Sequence, residues 1–164
     1  MRLFSVFFSL MFMTACSTSN QMKFSKTDAS ECPDGGVCKF EIFKNKSLAV
    51  KEDGIGQLYY DLVENKNTSV YVYTYFVAGP ENTEDGNLTE KIIFELDNNQ
   101  SENLSLENES LQKVNMLFSR ACFCRGQMGT FRVEKGFLKI TENSISAEAK
   151  TSKVPQTLTN FTLR

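Results

Sequence analysis

Seven residues, Val70-Tyr71-Val72-Tyr73-Thr74-Tyr75-Phe76, alternate in a way that suits an extended strand. Successive side chains of a strand point to opposite faces. Val70, Val72 and Phe76 therefore share one face, and Tyr71, Tyr73 and Tyr75 share the other. Large groups on both faces need cover on both sides. The strand is then central in its sheet, or it carries an exposed aromatic patch.

The same alternation predicts further strands over 38–43, 47–51, 56–63, 91–96, 130–134, 137–141, 144–150 and 157–163. Turn chemistry separates them. Asp53-Gly54, Asp85-Gly86 and Lys135-Gly136 each offer a residue that tolerates positive φ. Lys135-Gly136 reads as a tight hairpin joining TFRVE to FLKIT, and Glu142-Asn143 turns the chain again, so a C-terminal meander of three or four strands is expected. Between 101 and 118 two periods compete. Leu111, Val114 and Phe118 fall at helical spacing, with Glu107 and Glu109 near a helix start, yet Val114, Met116 and Phe118 also alternate. The reading is a short helical turn near 108–112 followed by a strand, with the Asn/Glu/Ser stretch at 98–110 as a solvated loop. Eight to ten strands and one short helix within 108–118 make an all-β domain, an antiparallel β-sandwich or barrel.

Four cysteines lie inside this domain: Cys32, Cys38, Cys122 and Cys124. In an exported chain they predict two disulfides whose connectivity the sequence leaves open. If residues 120–125 are extended, Cys122 and Cys124 face the same way with Cβ atoms roughly 6–7 Å apart, whereas a disulfide needs about 3.5–4.5 Å. Each then takes a partner from CPDGGVC, residues 32–38, where Pro33 to Gly36 read as a turn. The expectation is a double staple between the start of the domain and its later half. A crosslink closing 85–90 residues stabilises by about 4–5 kcal/mol on the chain-entropy model. The competing pairing joins Cys32 to Cys38 and Cys122 to Cys124, which needs a departure from extended geometry. A functional alternative uses Cys122 and Cys124 as soft ligands for Cu(I) together with Met116 and Met128, or as a redox pair whose thiol pKa is lowered by Arg120 and Arg125. An oxidising compartment outside the cytoplasm would weigh against free paired thiols.

The N-terminus supplies the compartment. Arg2 precedes an apolar run from Leu3 to Met13 that two serines interrupt. Eleven residues are too few to span a bilayer as a helix, which needs about 20, and suit the core of a secretory signal peptide. The run ends in Met13-Thr14-Ala15-Cys16, which resembles the lipobox of bacterial lipoproteins, with Met13 in place of the usual leucine. The resemblance covers only this export segment. It implies that residues 1–15 are removed and that Cys16 becomes a lipid-bearing N-terminus, diacylated on sulfur and acylated on its amine. Three acyl chains at about 0.8 kcal/mol per buried methylene anchor firmly. The alternative is an ordinary secreted protein cut nearby. Ser17, where the sorting rule of that family places a retaining aspartate, favours the outer membrane, and the domain is expected to face the periplasm. Residues 16–31 read as a flexible tether and residues 32–164 as the domain; as a whole the mature chain resembles small lipoproteins of Gram-negative envelopes. Several Asn-X-Ser/Thr triplets, among them those at Asn45, Asn67, Asn87, Asn103, Asn108 and Asn160, then belong to a polar surface rather than to glycan attachment.

Without residues 1–15 the chain keeps 17 basic and 20 acidic residues, a formal charge of −3. The cations are scattered, so nucleic acid is not an expected partner. The chain has no histidine and no tryptophan. Lack of histidine removes Ser-His and Cys-His pairs, the HExxH zinc helix and the usual general base near neutral pH. No catalytic residue, cofactor or metal is therefore assigned. Residues 81–87 hold acids and glycine but fail the EF-hand pattern, because the twelfth position from Glu81 is Ile92, and an acidic hairpin loop is expected there. Tyr71, Tyr73 and Tyr75 are a candidate binding surface, with packing the stronger expectation. The role expected from these features is a lipid-anchored envelope β-domain that binds an unknown protein or glycan partner, or serves a structural role. The alternatives are a copper or thiol-redox lipoprotein and an inhibitor of a secreted hydrolase.

Overall fold

Two unusually long strands organise the fold: β1 (Val37–Glu52) and β2 (Leu58–Val77). The computed structural model describes residues 32–164 except 82, 84, 85, 101 and 102. The expected signal peptide, Cys16 and the expected tether lie outside the described residues, as does part of the expected acidic loop. β1 and β2 pair antiparallel along almost their whole length, with a break in register between Lys44 and Lys46. Asn45 takes φ +59° at that break, a conformation that asparagine tolerates. The expected strands at 38–43 and 47–51 are thus one bent strand, and those at 56–63 and 70–76 are another. At the tip, Asp53 Oδ1 accepts from the amides of Ile55 and Gln57 (2.9 and 2.8 Å), and Gly56 takes φ +81°.

The remaining strands are β3 (Leu88–Asp97), β4 (Leu104–Glu107), β5 (Leu117–Ala121), β6 (Gly129–Arg132), β7 (Lys135–Thr141), β8 (Ser144–Lys150) and β9 (Asn160–Leu163). They form two antiparallel sheets, ordered β1-β2-β3-β5-β6 and β4-β7-β8-β9. A short 3₁₀ helix, Asn108–Val114, links β4 to β5 and buries Leu111 and Val114. The expected all-β domain with one short helix is what the described residues form.

The two sheets face each other across the main core. From the first sheet come Tyr73, Tyr75, Ile92, Phe94 and Phe118, and from the second Leu138, Ile140, Ile145, Ala147 and Phe161. A second core lies on the opposite face of the first sheet. There the distal half of the β1–β2 hairpin bends back and packs Leu48, Val50, Tyr60 and Leu62 on Val70, Val72, Ile93 and Leu117. The bent arm reaches the far edge strand, where Leu58 pairs with Thr130, and so closes a small barrel. Glu95 holds the arm down: its carboxylate accepts from Ser47 Oγ and the Leu48 amide, both at 2.7 Å, and from Asn115 Nδ2 at 2.7 Å. β2 therefore has cover on both faces, as its alternation of valine and tyrosine demands.

Two expectations are corrected. Lys135-Gly136 is not a hairpin turn, because β6 belongs to the first sheet and β7 to the second, and the chain crosses between sheets there. Gly136 instead pairs within the sheet opposite Ala149 at φ +140°, where a Cβ would run into the Glu148 carbonyl. Residues 104–107 are not loop. Leu104 and Leu106 pack against the main core, and β4 pairs with β7. The C-terminal meander is β7-β8-β9, turned at Glu142-Asn143 between the paired Thr141 and Ser144.

Gly54, at the hairpin tip, has open space around its Cα and no positive φ. Gly54→Ala restricts the unfolded chain without a native penalty, and a gain of about 0.4–1 kcal/mol in urea unfolding is expected.

Candidate functional site

The tyrosine series does not form a surface. Tyr73 is fully buried and stacks on Phe161 with centroids 4.3 Å apart. Tyr75 is 2% exposed and donates its hydroxyl to the Asp34 carbonyl at 3.0 Å. Tyr71, half-buried, stacks on Phe94 at 5.3 Å, and burial raises its phenol pKa above the ordinary value. The second sheet covers this face of β2, so Tyr71, Tyr73 and Tyr75 are packing residues. Tyr75 also seats the first cysteine turn, since Gly36 lies flat against its ring where no side chain would fit.

The cysteines pair locally. Cys32 and Cys38 are bonded with Cα atoms 5.7 Å apart, and Cys122 and Cys124 stand at disulfide distance with Cα atoms 5.2 Å apart. Both spacings fit the range disulfides occupy. The double staple is thereby overturned, for two physical reasons. First, Cys38, Tyr75, Glu90 and Arg120 are successive register partners across β1, β2, β3 and β5. Three strand spacings, roughly 14 Å, separate the first cysteine turn from the end of β5, too far for a bridge. Second, β5 ends at Ala121, so Cys122 to Cys124 lie in a bend and not on an extended strand. Gly126 takes φ +71° and the Gln127 amide donates to the Cys124 carbonyl at 3.1 Å, which curls the turn. On the chain-entropy model a bond closing three residues stabilises by only about 1.6 kcal/mol, and one closing seven by about 2.4 kcal/mol. Neither link ties distant parts of the fold together.

Beside the second turn lies a groove of about 510 Å³ between the β2–β3 loop and the end of β5, lined by Thr83, Asn87, Leu88, Arg120, Cys122 and Phe123. Phe123, 86% exposed, stands at its mouth, and Met128 is exposed on the same turn. Met116, a candidate soft ligand by sequence, is fully buried in the main core and so is removed from the exposed pair. Among the described residues no three His, Cys, Asp or Glu side chains converge as a metal site.

One wall of the groove rests on a residue that carries no motif. Glu90 is fully buried on the core face of β3. One carboxylate oxygen is paired with Arg120 Nη1, and the other accepts from the amides of Thr157 and Leu158 at 2.8 and 2.6 Å. Arg120 Nη1 also donates to the Pro155 carbonyl at 3.0 Å. The pair thus pins the segment before β9 onto the first sheet and fixes Arg120 at the groove. Its sequence signal is a charge in the apolar phase, since Glu90, Ile92, Phe94 and Leu96 share one face.

The row Val37, Phe76, Thr89 and Ala121 crosses four strands in register. It places the start of the domain, the groove and the Phe123 turn at one end of the first sheet. No protein-family profile, curated protein or solved structure matches the chain significantly.

Proposed function

We propose that the protein is a lipid-anchored β-domain of the cell envelope with a binding or structural role, using the groove end and Phe123 as the contact surface. The observation that carries the anchor is Met13-Thr14-Ala15-Cys16 directly after an apolar run too short to span a bilayer. Paired cysteines support an oxidising compartment. The exposure of Phe123 beside an apolar-floored groove supports the contact surface, because aromatic anchors are enriched at interfaces. A chain without histidine lacks the usual neutral-pH general base, which favours binding over hydrolysis. Cys16 is the lipidated residue on this reading, and the outer membrane facing the periplasm is the proposed location.

In the native host grown with labelled palmitate, the full chain is expected to take up label and sediment with membranes. Cys16→Ser is expected to lose both, and the mature N-terminal peptide of the native protein to carry three acyl chains. Label that survives Cys16→Ser, or an unacylated mature N-terminus, would overturn the anchor.

A further inference from the structure

We propose that Cys122 and Cys124 are a thiol–disulfide exchange centre that accepts electrons from the dithiol of a partner polypeptide. The proposal stands on the domain alone and does not depend on the lipid anchor.

The first ground is that the bond has little structural work. It closes three residues of one exposed turn, and that turn is already shaped by Gly126 and by the Gln127 amide on the Cys124 carbonyl. Opening it releases no other element of the fold. The Cys32–Cys38 bond differs, for its turn is packed against Tyr75 and the main core. The second ground is access. Cys122 lines the groove, and the residue between the two sulfurs is the 86%-exposed Phe123. Leu88 and Phe123 give an apolar seat for an extended segment, while Thr83 and Asn87 offer polar groups at its edge. The third ground is charge. Arg120 is committed to Glu90, but Arg125 follows Cys124 directly on the exposed turn. A neighbouring cation stabilises a thiolate and makes that sulfur the better leaving group.

These positions assign the steps. A partner thiolate attacks Cys122 Sγ from the groove. The Cys122–Cys124 bond breaks, its electron pair leaves on Sγ of Cys124, the residue that Arg125 follows, and a mixed disulfide joins the partner to Cys122. The partner's second thiolate then attacks the partner sulfur of that mixed bond. This forms the partner's disulfide and frees Cys122 as a thiolate. The partner is oxidised by two electrons, the Cys122/Cys124 pair is reduced by two, and the two protons shed by the partner thiols are available to the two new thiolates. The reverse exchange requires a partner disulfide and takes the same path.

The test uses the full oxidised chain in glutathione buffers of graded ratio, with acid quenching, alkylation and peptide mass mapping. The Cys122/Cys124 pair is expected to open at a glutathione-to-glutathione-disulfide ratio at least tenfold less reducing than Cys32–Cys38 requires. With glutathione disulfide as probe, reduced Cys124→Ser is expected to hold a Cys122–glutathione adduct. In the oxidised chain with both cysteines kept, Arg125→Gln is expected to slow opening severalfold at low salt. A Cys122→Ser/Cys124→Ser double variant that melts within a few degrees of the native protein separates exchange from folding. Opening of both pairs only together, or only on unfolding, would overturn the proposal. So would recovery of Cys32 or Cys38 bonded to Cys122 or Cys124.

Discussion

Glu90→Ala is expected to lower the unfolding free energy by about 3–5 kcal/mol, because it leaves the largely covered Arg120 charge and the Thr157 and Leu158 amides without their acceptor. In a domain of this size that is a fall of on the order of 10 °C or more in melting temperature. Urea unfolding measures it as a lower midpoint at constant slope. Glu90→Gln keeps the oxygen that serves both amides but loses the charge and the acceptor facing Arg120, and a smaller loss is expected. Replacing both partners, as in Glu90→Met with Arg120→Leu, is expected to recover part of the loss, because no charge is then left without its partner. Native-state hydrogen exchange adds a local readout: the Thr157 and Leu158 amides should lose protection in Glu90→Ala. A variant within 1 kcal/mol of the native protein would mean that the segment before β9 is held by something other than Glu90.

Gly136→Ala is expected to cost about 2–5 kcal/mol, combining a positive φ with a collision against backbone. The neighbour is the Glu148 carbonyl of a paired strand, which cannot swing aside as a flexible side chain would. The same substitution at Gly54 has the opposite expected sign. Comparing the two in one urea series isolates the cost of close strand approach from the ordinary helpful effect of removing a glycine. Equal effects at both positions would refute the close packing of β7 on β8.

Much of the architecture is legible in the sequence because strand period is a local property. The faces of β2 can be read directly from residues 70–76: Val70 and Val72 lie in one core, Tyr73 and Tyr75 in the other. The long strands are harder to read. Lys44-Asn45-Lys46 and the polar stretch 64–69 look like strand ends, but extended pairing can continue through a bulge and bend. Gly136 misleads because a turn and a close strand approach both call for a missing Cβ, and only the sheet assignment tells them apart. Leu104 and Leu106 are hidden in a polar stretch too short to show a period. The expected cysteine staple fails on one premise, that the strand continues through Cys124; it ends at Ala121, and Gly126 curls the turn beyond it. Glu90 can be found from its phase among Ile92, Phe94 and Leu96. No sequence period supplies its partners, two of which lie 67 and 68 residues downstream.

The cysteine connectivity bears on biogenesis. Each domain cysteine pairs with its nearest neighbour along the chain, Cys32 with Cys38 and Cys122 with Cys124. A polypeptide emerging N-terminus first would expose each couple together, more than eighty residues before or after the other couple. Oxidation in order of emergence then gives the native bonds directly, so maturation calls for a dithiol oxidase and has no step that needs an isomerase to reshuffle mismatched sulfurs.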